Sequence, residues 1–145
     1  QLAGDAAGKC DLNTILNFPA MHPDCRFLMT FLSRENIHEA AVAARKFGNM
    51  RVFGCWWFTN VPVIIEEIVR MRIELLGTNF IPQHSDARVF EQIIYKYQHF
   101  KDILYKVMLE KYEYLVSQGW PISKQEIEND IYALYKGRFE EFIKY

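Results

Sequence analysis

The stretch CRFLMTFLSRENIHEAAVAARKFG, residues 25–48, contains a strand followed by a helix and decides the fold class. Residues 25–32 form an almost continuous apolar run, which is typical of a strand buried on both faces of a sheet. Ser33 is a suitable N-cap, the alanines after it favour a helix, and Gly48 stands where a helix stops. The stretch therefore predicts one βα unit.

The same pattern recurs downstream. MRVFGCWWF, residues 50–58, predicts a second buried strand. A helix then begins around Asn60, which lies near the cap, and Pro62, which falls in the first turn where its missing N–H costs little. Gly77 ends that helix. The two units together indicate a parallel sheet with helical crossovers.

A third strand is predicted in NFIPQHSD, residues 79–86, although Pro82 removes one donor from its ladder. The segment before Cys25 suits the helix of a preceding unit. We therefore expect an α/β segment over residues 1–86, with about three parallel strands.

Only helices are predicted after this segment. Apolar and aromatic residues recur at helical spacing over 87–118, with a break expected near 99–101. The SKQE sequence of residues 123–126 fits a capping box and opens a helix that runs to about Lys136. Residues 87–145 therefore form a C-terminal helical region.

Composition excludes several classes of protein. The chain has 145 residues, half of them hydrophobic, and a net charge of −1. It has no basic block for nucleic acid, no apolar run that would span a membrane, and no signal layout at its N-terminus. Its three cysteines show no CxxC spacing, which favours reduced thiols in a cytoplasmic protein: Cys10, Cys25 and Cys55.

Polar and aromatic side chains follow each predicted strand. In parallel α/β proteins, functional residues gather at the carboxyl ends of strands. The three clusters are Ser33, Arg34 and Glu35; Trp56, Trp57 and Asn60; and His84, Asp86 and Arg88.

Each cluster has a structural alternative. Arg34 could belong to a solvated first helical turn, and Asp86 could be the N-cap of the helix that follows it. Trp56 and Trp57 would face opposite ways in a strand, so at least one is expected in the core while the other could stack on a ligand. In the functional interpretation, Asp86 binds a metal or moves a proton, and Arg88 binds a carboxylate through a forked hydrogen bond.

These motifs resemble the uronate isomerases of the amidohydrolase superfamily. The matching features are GCWWFTN after one strand and SDAR after the next, preceded by FLSREN and ARKFGN. A lone Asp-x-Arg is weak, but the ordered set is fairly specific and covers nearly the whole chain.

The resemblance implies the last part of a TIM-like (β/α)8 barrel, followed by C-terminal helices. It implies aldose–ketose isomerisation of hexuronates, such as D-glucuronate to D-fructuronate, assisted by a divalent metal, commonly zinc. By position, Asp86 would contact the metal and take part in proton transfer, and Arg88 would bind the substrate. Trp56 and Trp57 would wall the sugar pocket, and Arg34 matches a substrate-binding position of the family less closely.

The sequence departs from the family in one respect, because it contains no His-x-His metal pair. Its four histidines are scattered: His22, His38, His84 and His99. We therefore expect a C-terminal segment that is inactive alone and completes its site with the N-terminal remainder of a barrel or by self-association. A non-catalytic interaction module and a metal-dependent hydrolase of the same superfamily are the alternatives.

Overall fold

Helices dominate the structure, a computed structural model that describes residues 8–144. In this range the elements are α1 (Asn13–Met21), β1 (Phe27–Met29), α2 (Ile37–Lys46), β2 (Met50–Val52), α3 (Pro62–Leu76), α4 (Phe90–Ser117), α5 (Lys124–Tyr132) and α6 (Arg138–Ile143). Short 3₁₀ turns cover Arg34–Asn36 and Trp57–Thr59, and a π-helical turn covers Ala133–Gly137. The sequence predicts no signal layout at the N-terminus, and residues 1–7 of that region lie outside the described residues.

The two predicted βα units are present. Strands β1 and β2 pair in parallel, with Phe27 opposite Met50 and Met29 opposite Val52. Helix α2 connects them, and its buried alanines pack on the sheet together with α3. The prediction of a parallel sheet with helical crossovers is confirmed for these two strands.

The prediction of a full third strand at residues 79–86 is wrong. Ile81 forms a single parallel bridge with Phe53. Its N–H donates to the carbonyl of Val52 at 3.1 Å, and its carbonyl accepts from the N–H of Gly54 at 2.9 Å. The next ladder bond would run from the Gln83 N–H to the Gly54 carbonyl, but that carbonyl accepts from Arg72 Nη1 at 2.8 Å instead, so the pairing stops after one step.

The boundaries of α3 agree with the sequence signals. Pro62 is the first helical residue, and Gly77 caps the C-terminus with a φ of 60°. The N-cap is Val61 rather than Asn60. Upstream, Ser33 does precede a helical segment, but its hydroxyl donates to the Glu35 carboxylate instead of capping the backbone.

The break predicted near residues 99–101 does not exist. Helix α4 runs unbroken from Phe90 to Ser117, because Phe100, Leu104 and Val107 all lie in the core and hold its middle in place. Gly119, with a φ of 82°, follows its end.

The capping box predicted at the start of α5 is confirmed. The Ser123 hydroxyl accepts from the N–H of Glu126, and the Glu126 carboxylate accepts from the N–H of Ser123. The predicted helix ends early, at Tyr132, where the π-helical turn leads into α6. No helix in the described range is both long and apolar enough to cross a membrane.

Ion pairs join α3 to α4 across their exposed edge. Glu66 accepts from Arg70 at 2.7 Å and from Lys106 at 2.9 Å, and Arg70 also pairs with Glu110 at 2.6 Å. Hydrogen bonds from Arg70 and then Lys106 lower the pKa of Glu66.

Acid is expected to weaken these ion pairs between α3 and α4. Because the folded pKa of Glu66 is lowered, its contribution is complete above the ordinary glutamate pKa of about 4.3 and is lost as pH falls through the lower folded value. Urea midpoints of the wild type and Glu66→Gln should therefore differ at pH 7 and converge toward pH 3. A difference that stays constant over this range would contradict the assignment.

Candidate active site

The carboxyl end of β2 leads into a tightly constrained turn. Gly54, with a φ of 60°, lies against the His84 ring, so that a Cβ placed on it would fall 2.5 Å from Nδ1. Only glycine combines this backbone conformation with such a close approach. Trp57, three residues later, also has a positive φ, of 47°.

The paired tryptophans are not core residues, contrary to the sequence prediction. Trp56 is half-buried and Trp57 is 45% exposed. The alternation of a strand does not apply to them, because β2 ends at Val52 and Trp57 begins a 3₁₀ turn. Both rings are therefore accessible at the carboxyl end of the sheet.

Asp86 lies directly beside Trp56. The Trp56 Nε1–H donates to Asp86 Oδ2 at 2.5 Å, which joins the two sequence motifs across 30 positions. The backbone carbonyl of Asp86 accepts from Lys96 Nζ of α4 at 2.9 Å. The carboxylate itself is exposed, so Oδ1 can accept a further hydrogen bond.

The interpretation of Asp86 as a helix cap is wrong. Helix α4 begins at Phe90, and its N-cap is Val89. Asp86 instead has a φ of 40°, a conformation that costs a residue other than glycine roughly 1–3 kcal/mol and that occurs preferentially at functional sites. Asp86 and Trp57 are the two residues other than glycine that have a positive φ in the described range, and both lie near the carboxyl ends of the paired strands.

Arg88 is exposed at the same junction. Its backbone N–H donates to Gln92 Oε1 at 2.9 Å, and its guanidinium forms no ion pair with the described residues. A guanidinium in this state can form a forked hydrogen bond with a carboxylate from solution.

Arg34 is engaged elsewhere. Its Nε and Nη2 both lie 2.9 Å from the Glu67 carboxylate, and this hydrogen bond raises the pKa of the Arg34 guanidinium. Within residues 8–144 it has no contact with Trp56 or Asp86. The geometry favours a solvated helical turn for this residue.

His84 is the residue of the SDAR cluster to which the sequence assigned no role. Its ring meets Phe53 edge to face, with centroids 4.9 Å apart. Burial lowers the pKa of His84, while the Asp86 carboxylate opposes that shift, so the imidazole is neutral at pH 7.

Several buried polar atoms around this junction lack a partner among the described residues. They are the Nδ1 of His84, the Oδ1 of Asn60 and both polar side-chain atoms of Gln83. Buried polar groups are nearly always paired in complete proteins.

Sequence reasoning missed two residues that contribute to the junction, Lys96 and Arg72. Lys96 carries no distinguishing signal in the sequence. Arg72 does, because it occupies the apolar stripe of α3 at helical spacing from Ile68 and Leu76. An arginine in such a stripe marks a buried guanidinium.

A metal is not held by these residues alone. In the part of the chain that the structure describes, no group of three His, Cys, Asp or Glu side chains is arranged to bind an ion. The exposed Asp86 carboxylate is suited to supply one oxygen ligand, and the remaining ligands of a divalent ion would come from elsewhere.

Comparison with solved structures finds a match over nearly the whole chain. The chain is similar to the crystal structure of a uronate isomerase from Bacillus halodurans C-125, with 48% identity and a TM-score of 0.94. The match covers 97% of this chain and 33% of that chain, so this chain spans about a third of the solved protein's length. No family model matches the chain, and no curated protein does.

Proposed function

We propose that this chain, a relative of the uronate isomerases, supplies one part of an active site that interconverts aldose and ketose forms of a hexuronate. The contact between the Trp56 indole and the Asp86 carboxylate carries the proposal, because it brings the two motifs together at the carboxyl end of the sheet. In this proposal residues 1–86 contribute βα units to a TIM-like (β/α)8 barrel and residues 87–145 form a helical region.

The chemistry of the reaction suits the residues. Moving a proton between adjacent carbons passes through an enediol-like species, and a nearby carboxylate can relay that proton. Two observations support this role for Asp86: its exposed carboxylate accepts from the Trp56 indole, and its backbone is strained at a φ of 40°.

Arg88 is proposed to bind the acidic end of the sugar. Its exposed guanidinium lies two residues from Asp86, and a planar fork recognises a carboxylated sugar better than a neutral one. Trp56 and Trp57 would form the apolar wall of the pocket. Arg34 contributes less, because Glu67 already neutralises it.

A divalent metal, zinc in the resemblance, would polarise a substrate oxygen and stabilise developing negative charge. Asp86 would be its ligand in this chain. The other ligands and the rest of the pocket belong to the N-terminal remainder of the barrel or to another copy of the chain. Such an enzyme would act on sugar acids in the cytoplasm.

Segment replacement tests the proposal. The matching third of the Bacillus halodurans uronate isomerase is exchanged for this chain, and the conversion of D-glucuronate to D-fructuronate is measured. We expect turnover by the chimera, and none by the 145-residue chain alone or by the host enzyme without the matching third.

The alternatives give different results in the same assay. A folded chimera that hydrolyses amides or esters and leaves uronates unchanged would replace the proposal with a hydrolase. A folded chimera without any turnover would overturn it in favour of a non-catalytic module.

A further inference from the structure

Arg72 is a buried charge without a counterion. Its side chain is 2% exposed and lies on the core face of α3. The guanidinium carbon lies 6.0 Å from the centroid of the Phe80 ring, Nη1 donates to the carbonyl of Gly54 at 2.8 Å, and Nε has no partner. Within residues 8–144 it forms no ion pair with a carboxylate.

Stability does not account for an arginine here. A desolvated guanidinium without a paired carboxylate is unfavourable by several kcal/mol, as an order of magnitude, and an apolar side chain would fill the same space without that penalty. Burial lowers the pKa of Arg72. The Cys55 thiol beside it offers no negative charge, because burial raises the thiol pKa.

The single hydrogen bond of Arg72 acts on the turn that carries the tryptophans. Both peptide groups of Gly54 are anchored, since its carbonyl accepts from Arg72 and its N–H donates to the Ile81 carbonyl at 2.9 Å. Trp56 follows two residues later and reaches Asp86. The two hydrogen bonds of Gly54 therefore constrain the backbone at the start of the turn that carries Trp56.

We infer that Arg72 is a positioning residue, which fixes the turn at residues 54–57 so that the Trp56 indole N–H holds the Asp86 carboxylate in its working orientation. The consequence for catalysis rests on the proposed function of Asp86, but the positioning itself does not.

The Trp56 indole resonance reports this geometry directly in the 145-residue chain. The ¹H–¹⁵N spectrum contains indole signals from Trp56, Trp57 and Trp120, and Trp56→Phe identifies the first. Asp86→Asn supplies the reference position for a weakened hydrogen bond. In Arg72→Met, which keeps an unbranched side chain but no donor, we expect the Trp56 signal to move toward that reference.

The matched control is Arg70→Lys on the same helix, where the arginine pairs with Glu66 and Glu110 and does not touch the turn. It should leave the Trp56 signal in place. In Arg72→Lys, which retains a charged donor, the Trp56 signal should lie between its wild-type position and its position in Arg72→Met. If Arg72→Met does not fold, the position of the Trp56 signal in Arg72→Lys is compared with its position in Arg70→Lys.

A folded Arg72→Met variant whose Trp56 signal stays at the wild-type position would overturn the inference. In the active chimera, Arg72→Met should lower kcat roughly 10- to 100-fold with KM nearly unchanged, as expected for a misplaced catalytic group. If Asp86→Asn leaves turnover intact while Arg72→Met moves the Trp56 signal, the proposed function fails and the positioning stands. If Asp86→Asn abolishes turnover while Arg72→Met leaves the Trp56 signal in place, the positioning inference fails and the proposed function stands.

Discussion

Asp86→Asn is expected to reduce uronate isomerisation by the chimera by roughly 10²- to 10⁴-fold, the usual contribution of a positioned acid or base. Asparagine preserves the shape of the side chain and can still accept from the Trp56 indole. It cannot take up a proton or carry negative charge. The loss should therefore appear in kcat at saturating D-glucuronate, measured as formation of D-fructuronate.

Asp102→Asn is the matched control for this substitution. Asp102 is an exposed residue of α4 whose carboxylate accepts from Gln98 at 2.9 Å, away from the tryptophans. Its replacement should leave turnover within about twofold, as expected for an exposed residue outside the site. Equal activities of the Asp86 and Asp102 variants would remove Asp86 from the catalytic role.

Gly54→Ala should lower the free energy of unfolding by about 3 kcal/mol, from backbone strain and a steric clash combined. The new methyl group would fall 2.5 Å from His84 Nδ1 and 2.9 Å from Cε1, and the φ of 60° disfavours any Cβ. Urea denaturation of the 145-residue chain measures the effect. The same substitution should disturb the Trp56 indole signal, because the turn must shift to relieve the contact.

Gly77→Ala separates the two causes. Gly77 has the same φ of 60°, but nothing lies within 4 Å of a Cβ placed there. Gly77→Ala should lower the free energy of unfolding by about 1–2 kcal/mol, the cost of a positive φ without a steric clash. If Gly54→Ala were no more destabilising than Gly77→Ala, the contact between Gly54 and His84 would have no energetic weight.

A double substitution isolates the ring contact. His84→Ala removes the atoms that the new methyl group meets, so Gly54→Ala should be less damaging in that background by about 1–2 kcal/mol. The residual cost should approach that of Gly77→Ala.

Local patterns predicted most of the elements. The alanine-rich helix and the capping box at Ser123 formed as expected, whereas the apolar run at 25–32 formed a short strand, Phe27–Met29, that is only partly buried because Leu28 is exposed. Such signals are local, because side-chain periodicity and capping depend on residues only a few positions apart.

The predictions failed where contacts between residues far apart in the sequence override local preference. The third strand shortened to a bridge at Ile81, because Arg72, far along the chain, donates to the Gly54 carbonyl that would continue the ladder. The polar stretch near Lys101 did not break α4, because Phe100 and Leu104 anchor that part of the helix in the core. Asp86 followed neither the strand nor the cap pattern and adopted a left-handed backbone instead.

The sequence by itself determined the order of the elements, the family resemblance, and the identity of the residues at the strand ends. Tertiary structure alone decided that Trp56 meets Asp86, that Glu67 engages Arg34, and that Arg72 lies beneath Gly54. The physical reason is that these contacts join residues 18 to 33 positions apart. Their geometry depends on how helices pack against a sheet, which no local pattern specifies.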